Sequence, residues 1–103
     1  MREGSRTDSV SADQERLRQQ ERALLSALKT INAERADLEW TLAELEQQIE
    51  ALRAEESDHT VARRLNDLRR WRSTLEDRVL RHMYRAEELE AEIRRLHEQL
   101  REA

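Results

Sequence analysis

Residues 52–61 read Leu52-Arg53-Ala54-Glu55-Glu56-Ser57-Asp58-His59-Thr60-Val61, and the fold turns on them. Ser57, Asp58, His59 and Thr60 are four weak helix formers in a row. On both sides the apolar residues recur at alternating steps of four and three. Backwards from this stretch the set is Leu52, Ile49, Leu45, Leu42, Leu38, Arg35, Ile31, Leu28, Leu24, Glu21 and Leu17; nine of the eleven are large aliphatics. Forwards it is Val61, Leu65, Leu68, Arg72, Leu75, Val79, His82, Ala86, Leu89, Ile93, Leu96 and Leu100; ten of the twelve are apolar. About five unbroken heptads in each direction are the mark of a coiled coil. An ordinary helix drifts off a strict 3.5-residue repeat within a few turns.

The two repeats are out of phase. Continued past Leu52, the first calls for apolar residues at Glu56 and His59, whereas the second begins at Val61. Two inserted residues make neither a stutter nor a stammer, so a tight turn is expected. Ser57 or Asp58 is placed to cap a second helix by accepting a backbone N–H. The alternative is one continuous helix, paired in trans as a rod, because no Gly or Pro marks the junction.

The composition agrees. Charged residues make up 41% of the 103 residues, with one Gly and no Pro, Cys or Phe. That profile suits a long helix and leaves too few β-branched and turn residues for a sheet. The expectation is an all-α fold, a long antiparallel coiled-coil helical hairpin that dimerises into a four-helix arrangement. Residues 1–10 lack periodicity and read as a disordered tail. Helix 1 is expected over about 11–56, opened by a capping box at Ser11 and Gln14. The turn follows at about 57–60 and helix 2 at about 61–102.

With the turn centred between Asp58 and His59, facing residues have numbers summing to about 117. Leu52 then meets Leu65, Ile49 meets Leu68, Leu42 meets Leu75 and Leu28 meets Leu89. Arg35 meets His82, so two polar seam residues share a layer where they can set the register; otherwise both reach out of the seam to solvent. On the flanks, Glu34 falls between Arg78 and Arg85, and Glu46 near Arg69. Six large apolar residues stay off the seam: Leu25, Trp40, Trp71, Leu80, Met83 and Tyr84. They broaden the apolar arc beyond a two-helix stripe, which argues for further helices in contact. Trp40, Trp71, Leu80, Met83 and Tyr84 are the candidate protein-interaction surface, offered to a second copy or to another helical protein.

Catalysis has little to work with. There is no Gly-rich phosphate loop, no Cys nucleophile and no serine elbow. His59, His82 and His97 form no pair at metal-ligand spacing on one face, and neither His82 nor His97 follows a Glu by three residues. No enzyme activity, cofactor or metal is expected. No apolar run reaches membrane-spanning length, and the polar start lacks a signal-peptide stretch; a cytoplasmic protein is expected.

Two other functions have residues to argue for them. Glu55, Glu56 and Asp58 put carboxylates at the reversal. An acidic tip on a coiled-coil finger resembles, in architecture, the transcript-cleavage factors that enter the RNA polymerase secondary channel, and implies a regulator of a larger enzyme. Arg63, Arg64, Arg69, Arg70, Arg72, Arg78, Arg81 and Arg85 crowd the start of helix 2 around Trp71 and Tyr84. Guanidinium groups and rings can hold phosphates and stack bases. The segment is similar in kind to the basic helical arm of seryl-tRNA synthetases and implies a nucleic-acid-binding arm. Helix 1, however, is acidic opposite it (Glu34, Asp37, Glu39, Glu44, Glu46, Glu50), and the net charge of −4 is not that of a general nucleic-acid binder. Pairing of these arginines within the chain is therefore expected, and nucleic acid is not the expected partner.

Overall fold

The computed structural model describes residues 2–55 and 58–102, with side chains from Ser11 onward. The chain is an all-α helical hairpin. α1 spans Arg2–Arg53 and α2 spans His59–Glu102. Ala, Leu, Glu, Gln and Arg dominate both helices; all are strong helix formers. The continuous-rod alternative does not hold, because α1 stops at Arg53, before the predicted junction, and α2 restarts within it at His59.

The stop is built locally. The Ala54 N–H still reaches back four residues to the Glu50 carbonyl (3.3 Å), but the Glu55 N–H bonds the Leu52 carbonyl three residues back (3.2 Å). Such tightening satisfies a carbonyl that the helix end leaves open. On the far side the Asp58 carboxylate accepts the Val61 N–H at 2.8 Å, and the Asp58 carbonyl accepts the Ala62 N–H at 3.0 Å. Asp58 is thus the N-cap of α2, and its charge sits at the positive end of the helix dipole. The other proposed cap, Ser57, lies outside the described residues, as does Glu56. No described residue has a positive φ, so Ala54, Glu55 and Asp58 need no glycine.

Two boundaries differ from the sequence reading. α2 begins at His59 rather than Val61, because capping by Asp58 draws His59 and Thr60 into the first turn. α1 begins at Arg2 rather than near Ser11. Extending a formed helix costs far less than starting one, and residues 2–10 contain no Pro. Ser11 is consequently an interior helix residue, and the Ser11–Gln14 capping box is not formed.

The chain divides into two units: Asn32–Tyr84, which contains the turn, and Met1–Ile31 with Arg85–Ala103. In the turn-proximal unit Leu45, Ile49, Leu68 and Leu75 form the buried cluster, with Leu38, Leu42, Leu52 and Leu65 packed against it. All six residues of the three layers predicted for this unit are in that group. In the terminal unit Ala86, Leu89, Ile93 and Leu96 are buried, and Leu17, Leu24, Leu28 and Ile31 are half-buried. All eleven seam positions predicted on α1 and all twelve on α2 are buried or half-buried.

Candidate functional site

With the seam filled by aliphatics, the large apolar residues off the seam remain uncovered. Trp40 is 65% exposed, Trp71 59% and Tyr84 62%, and Leu25, Leu80 and Met83 are exposed as well. All but Leu25 belong to the turn-proximal unit. Within that unit they do not form one patch. Leu80, Met83 and Tyr84 are three and four residues apart and share one face of α2. Trp71 is nine residues before Leu80, which is about 180° around the helix. The off-seam apolar residues of α2 are therefore two separate features and not one broadened arc.

The heptad phase sorts them. The residue before each Arg35, Leu42 and Ile49 lies on one flank of the seam, together with the residue before each Leu65, Arg72 and Val79, because like flanks meet in an antiparallel pair. That flank carries Glu34, Thr41, Arg78 and Trp71. It holds a shallow groove of about 330 Å³ lined by Glu34, Asp37, Leu38, Thr41, Arg78 and His82. The opposite flank carries Glu39 and Glu46 on α1 and Arg69, Glu76 and Met83 on α2. Next to it stand Ala36, Ala43 and Glu50 on α1 and Leu80 on α2. Trp40 is on the outer surface of α1, one turn from both Ala36 and Ala43.

His82 spans the groove. Its Nε2 lies 2.9 Å from the Glu34 carboxylate and its Nδ1 lies 2.8 Å from the Arg78 carbonyl. Both partners only accept, so both nitrogens can donate only when the ring is the imidazolium. The bond to Glu34, then the bond to the Arg78 carbonyl, raise the His82 pKa above 6.5 against the opposing effect of burial. The predicted partner of His82 was Arg35. Arg35 instead turns along its own helix to Glu39, at 3.8 Å. The carboxylate one residue before Arg35 takes the place beside His82 that the sequence reading gave to the cation. In the terminal unit the Glu21 carboxylate bonds His97 Nε2. The sequence reading leaves Glu21 as an exception on the seam and gives His97 no partner. The signal was present: 21 and 97 sum to 118, and 34 and 82 to 116.

The arginines do not pair as expected. Among the described residues, Arg72 bonds Glu76 at 3.6 Å and Arg85 bonds Glu88 at 3.2 Å, each within α2. No ion pair of the turn-proximal unit joins an arginine of α2 to a carboxylate of α1 among the described residues, and Glu46 and Arg69 form none. Each helix instead satisfies some of its charge at three- and four-residue spacing, where no second backbone must be aligned. Arg63, Arg64, Arg69 and Arg70 are exposed. At the tip, Glu55 and Asp58 are exposed. Among the described residues no three His, Asp or Glu side chains gather as a metal-binding group, and no helix is long and apolar enough to cross a membrane.

No family model matches the chain, and no curated protein or solved structure is significantly similar to it.

Proposed function

We propose that this protein is a non-enzymatic coiled-coil interaction module, a small scaffold, adaptor or regulatory subunit acting by helix–helix association with itself or with another helical protein. The observation that carries the reading is the exposure of Trp40, Trp71, Leu80, Met83 and Tyr84 beside a seam that already has its aliphatic filling. Tryptophan and tyrosine are enriched among the residues that carry most of the energy at interfaces, and exposure of three of them with Leu80 and Met83 in one unit leaves their apolar area in water.

The test is the solution mass by light scattering, for the wild type and for a Trp40→Gln, Trp71→Gln double variant. A wild-type mass of twice the chain, falling to one chain in the variant with helicity kept, supports self-association. A monomeric wild type transfers the surface to a different helical protein.

A nucleic-acid arm is the second reading, favoured by the exposed Arg63, Arg64, Arg69 and Arg70 around Trp71. It requires a salt-dependent shift of labelled RNA or DNA. Silence at low salt removes it.

A further inference from the structure

The arginines of the turn-proximal unit are sorted by face as well as by helix. Between His59 and Tyr84, α2 has seven arginines and three carboxylates. Arg72 is on the seam and bonds Glu76, and Arg69 shares the Leu80 and Met83 flank with Glu76. The other five, Arg63, Arg64, Arg70, Arg78 and Arg81, lie on the outer surface and the Trp71 flank by the same heptad phase. Asp67 and Asp77 are the carboxylates of α2 on that side. It therefore has an excess of three positive charges (five minus two), and the Leu80 flank has none (one minus one). All five arginines are exposed, and among the described residues none is within ion-pair distance of a carboxylate.

The α1 residues beside them change along the helix. Glu34 and His82 sum to 116, so residues with that sum share a level of the unit. Around Arg78, α1 presents Glu34 and Asp37, which line one groove with it. Nearer the turn it presents no charge on this flank. The α1 residues there, between the levels of Arg64 and Trp71, are Gln48 and Ala51, and the next carboxylate, Glu44, is level with Arg72. Arg63, Arg64 and Arg70 thus stand beside Trp71, itself 59% exposed, with Asp67 as the carboxylate among them. Arg63 and Arg70, and likewise Arg64 and Trp71, are seven residues apart, about 10 Å along the axis.

This surface differs in kind from the Leu80 and Met83 flank. A docked protein helix needs an apolar stripe, and the basic face offers one ring among guanidinium groups. Phosphates take guanidinium contacts, and a base stacks on an exposed ring. Bases inside a duplex are already covered on both faces, so a ring on a convex helix can receive only an unpaired base. From this arrangement we infer that Arg63, Arg64, Arg70 and Trp71 form a binding site for single-stranded nucleic acid, with the arginines on phosphates and the indole under a base. The site rests on the nucleic-acid reading above and adds to it which face is used, which kind of strand is taken, and that Arg69 has no part.

The test follows the full chain by fluorescence anisotropy over a range of salt, with labelled single-stranded RNA and DNA and the duplexes formed with their complements. A single strand binds more tightly than its duplex. Each of Arg63→Gln, Arg64→Gln and Arg70→Gln lowers the logarithmic salt slope by about 0.7 with helicity kept, and Arg69→Gln leaves the slope unchanged. Trp71→Ala weakens binding about tenfold and also leaves the slope unchanged. Equal binding of duplex and single strand overturns the stacking site, and binding that survives the three arginine variants overturns the face; either result leaves the broader nucleic-acid reading standing. No binding of any strand at low salt overturns both together. If polyglutamate is bound in their place, the basic face belongs to an acidic protein.

Discussion

The two units solve the same packing problem and present different surfaces. Each fills its seam with aliphatics from both helices, and each joins its helices by one histidine–glutamate contact: His82 with Glu34 in the turn-proximal unit, His97 with Glu21 in the terminal unit. The difference lies outside the seam. The terminal unit leaves Leu25 as its exposed large apolar side chain among the described residues, whereas the turn-proximal unit leaves Trp40, Trp71, Leu80, Met83 and Tyr84. The terminal unit mixes its charges, with three carboxylates among seven charged residues over 11–31; the turn-proximal unit sorts them by helix. A seam repeat holds helices together wherever it occurs. An interaction surface needs additional residues, and this chain concentrates them near the turn.

The strongest way to break the equivalence of the two seams is to cut one residue from each. Leu89 is 1% exposed and Ile49 2%. Leu89→Ala and Ile49→Ala should each lower the unfolding free energy by about 2–5 kcal/mol, read by urea titration with circular dichroism. If one substitution costs less than about 1 kcal/mol, the seams are not alike.

The surface difference predicts a contrast in assembly. Trp40→Gln should remove dimer from the light-scattering trace while helicity stays, and Leu25→Gln should leave the mass unchanged. Loss of dimer in both would spread the interface over both units and erase the distinction.

A smaller effect belongs to the turn. Asp58→Ala removes the cap on the first turn of α2 and should cost about 1 kcal/mol. Amide exchange in that turn should quicken, with no change in the terminal unit's exchange; uniform quickening would mean that the cap supports the whole hairpin.

The smallest effect is pH-dependent. The pKa of His82 is raised above 6.5 in the fold, so its contribution to stability is complete below that value and is lost as pH rises through the raised one. The Glu34 carboxylate is largely exposed, which keeps the contribution below about 1 kcal/mol. A double-mutant cycle with His82→Gln and Glu34→Gln should show coupling at about pH 5.5 and none at about pH 8.5. Equal coupling at both would mean that the imidazolium is not the bonded form.

Much of this was legible before any coordinates. The phase break between Leu52 and Val61 located the reversal, and Asp58 was read as a cap and is one. The seam set was also complete, since each of its positions is at least half-buried. Other expectations failed for identifiable reasons. Ser11 looked like a helix start because its neighbours lack periodicity, yet a helix propagates through aperiodic residues that carry no Pro. Arg35 was matched to His82 by a sum correct to one residue, and one residue changes a cation into a carboxylate. The α2 arginines were expected to reach α1, but pairing within the helix needs less ordering of long side chains.

Periodicity and phase are local properties of the chain, so the sequence by itself determined that there are two helices, where the chain turns and which stripe of each helix is covered. Whether Trp40 shares a surface with Trp71 or with Leu80 depends on rotation about each helix axis and on which flanks meet. Those are relations between residues 30 or more apart, written in no short stretch of sequence. Only the tertiary structure decided that Glu34 rather than Arg35 meets His82, and that the acidic and basic helices leave Glu46 and Arg69 unpaired among the described residues.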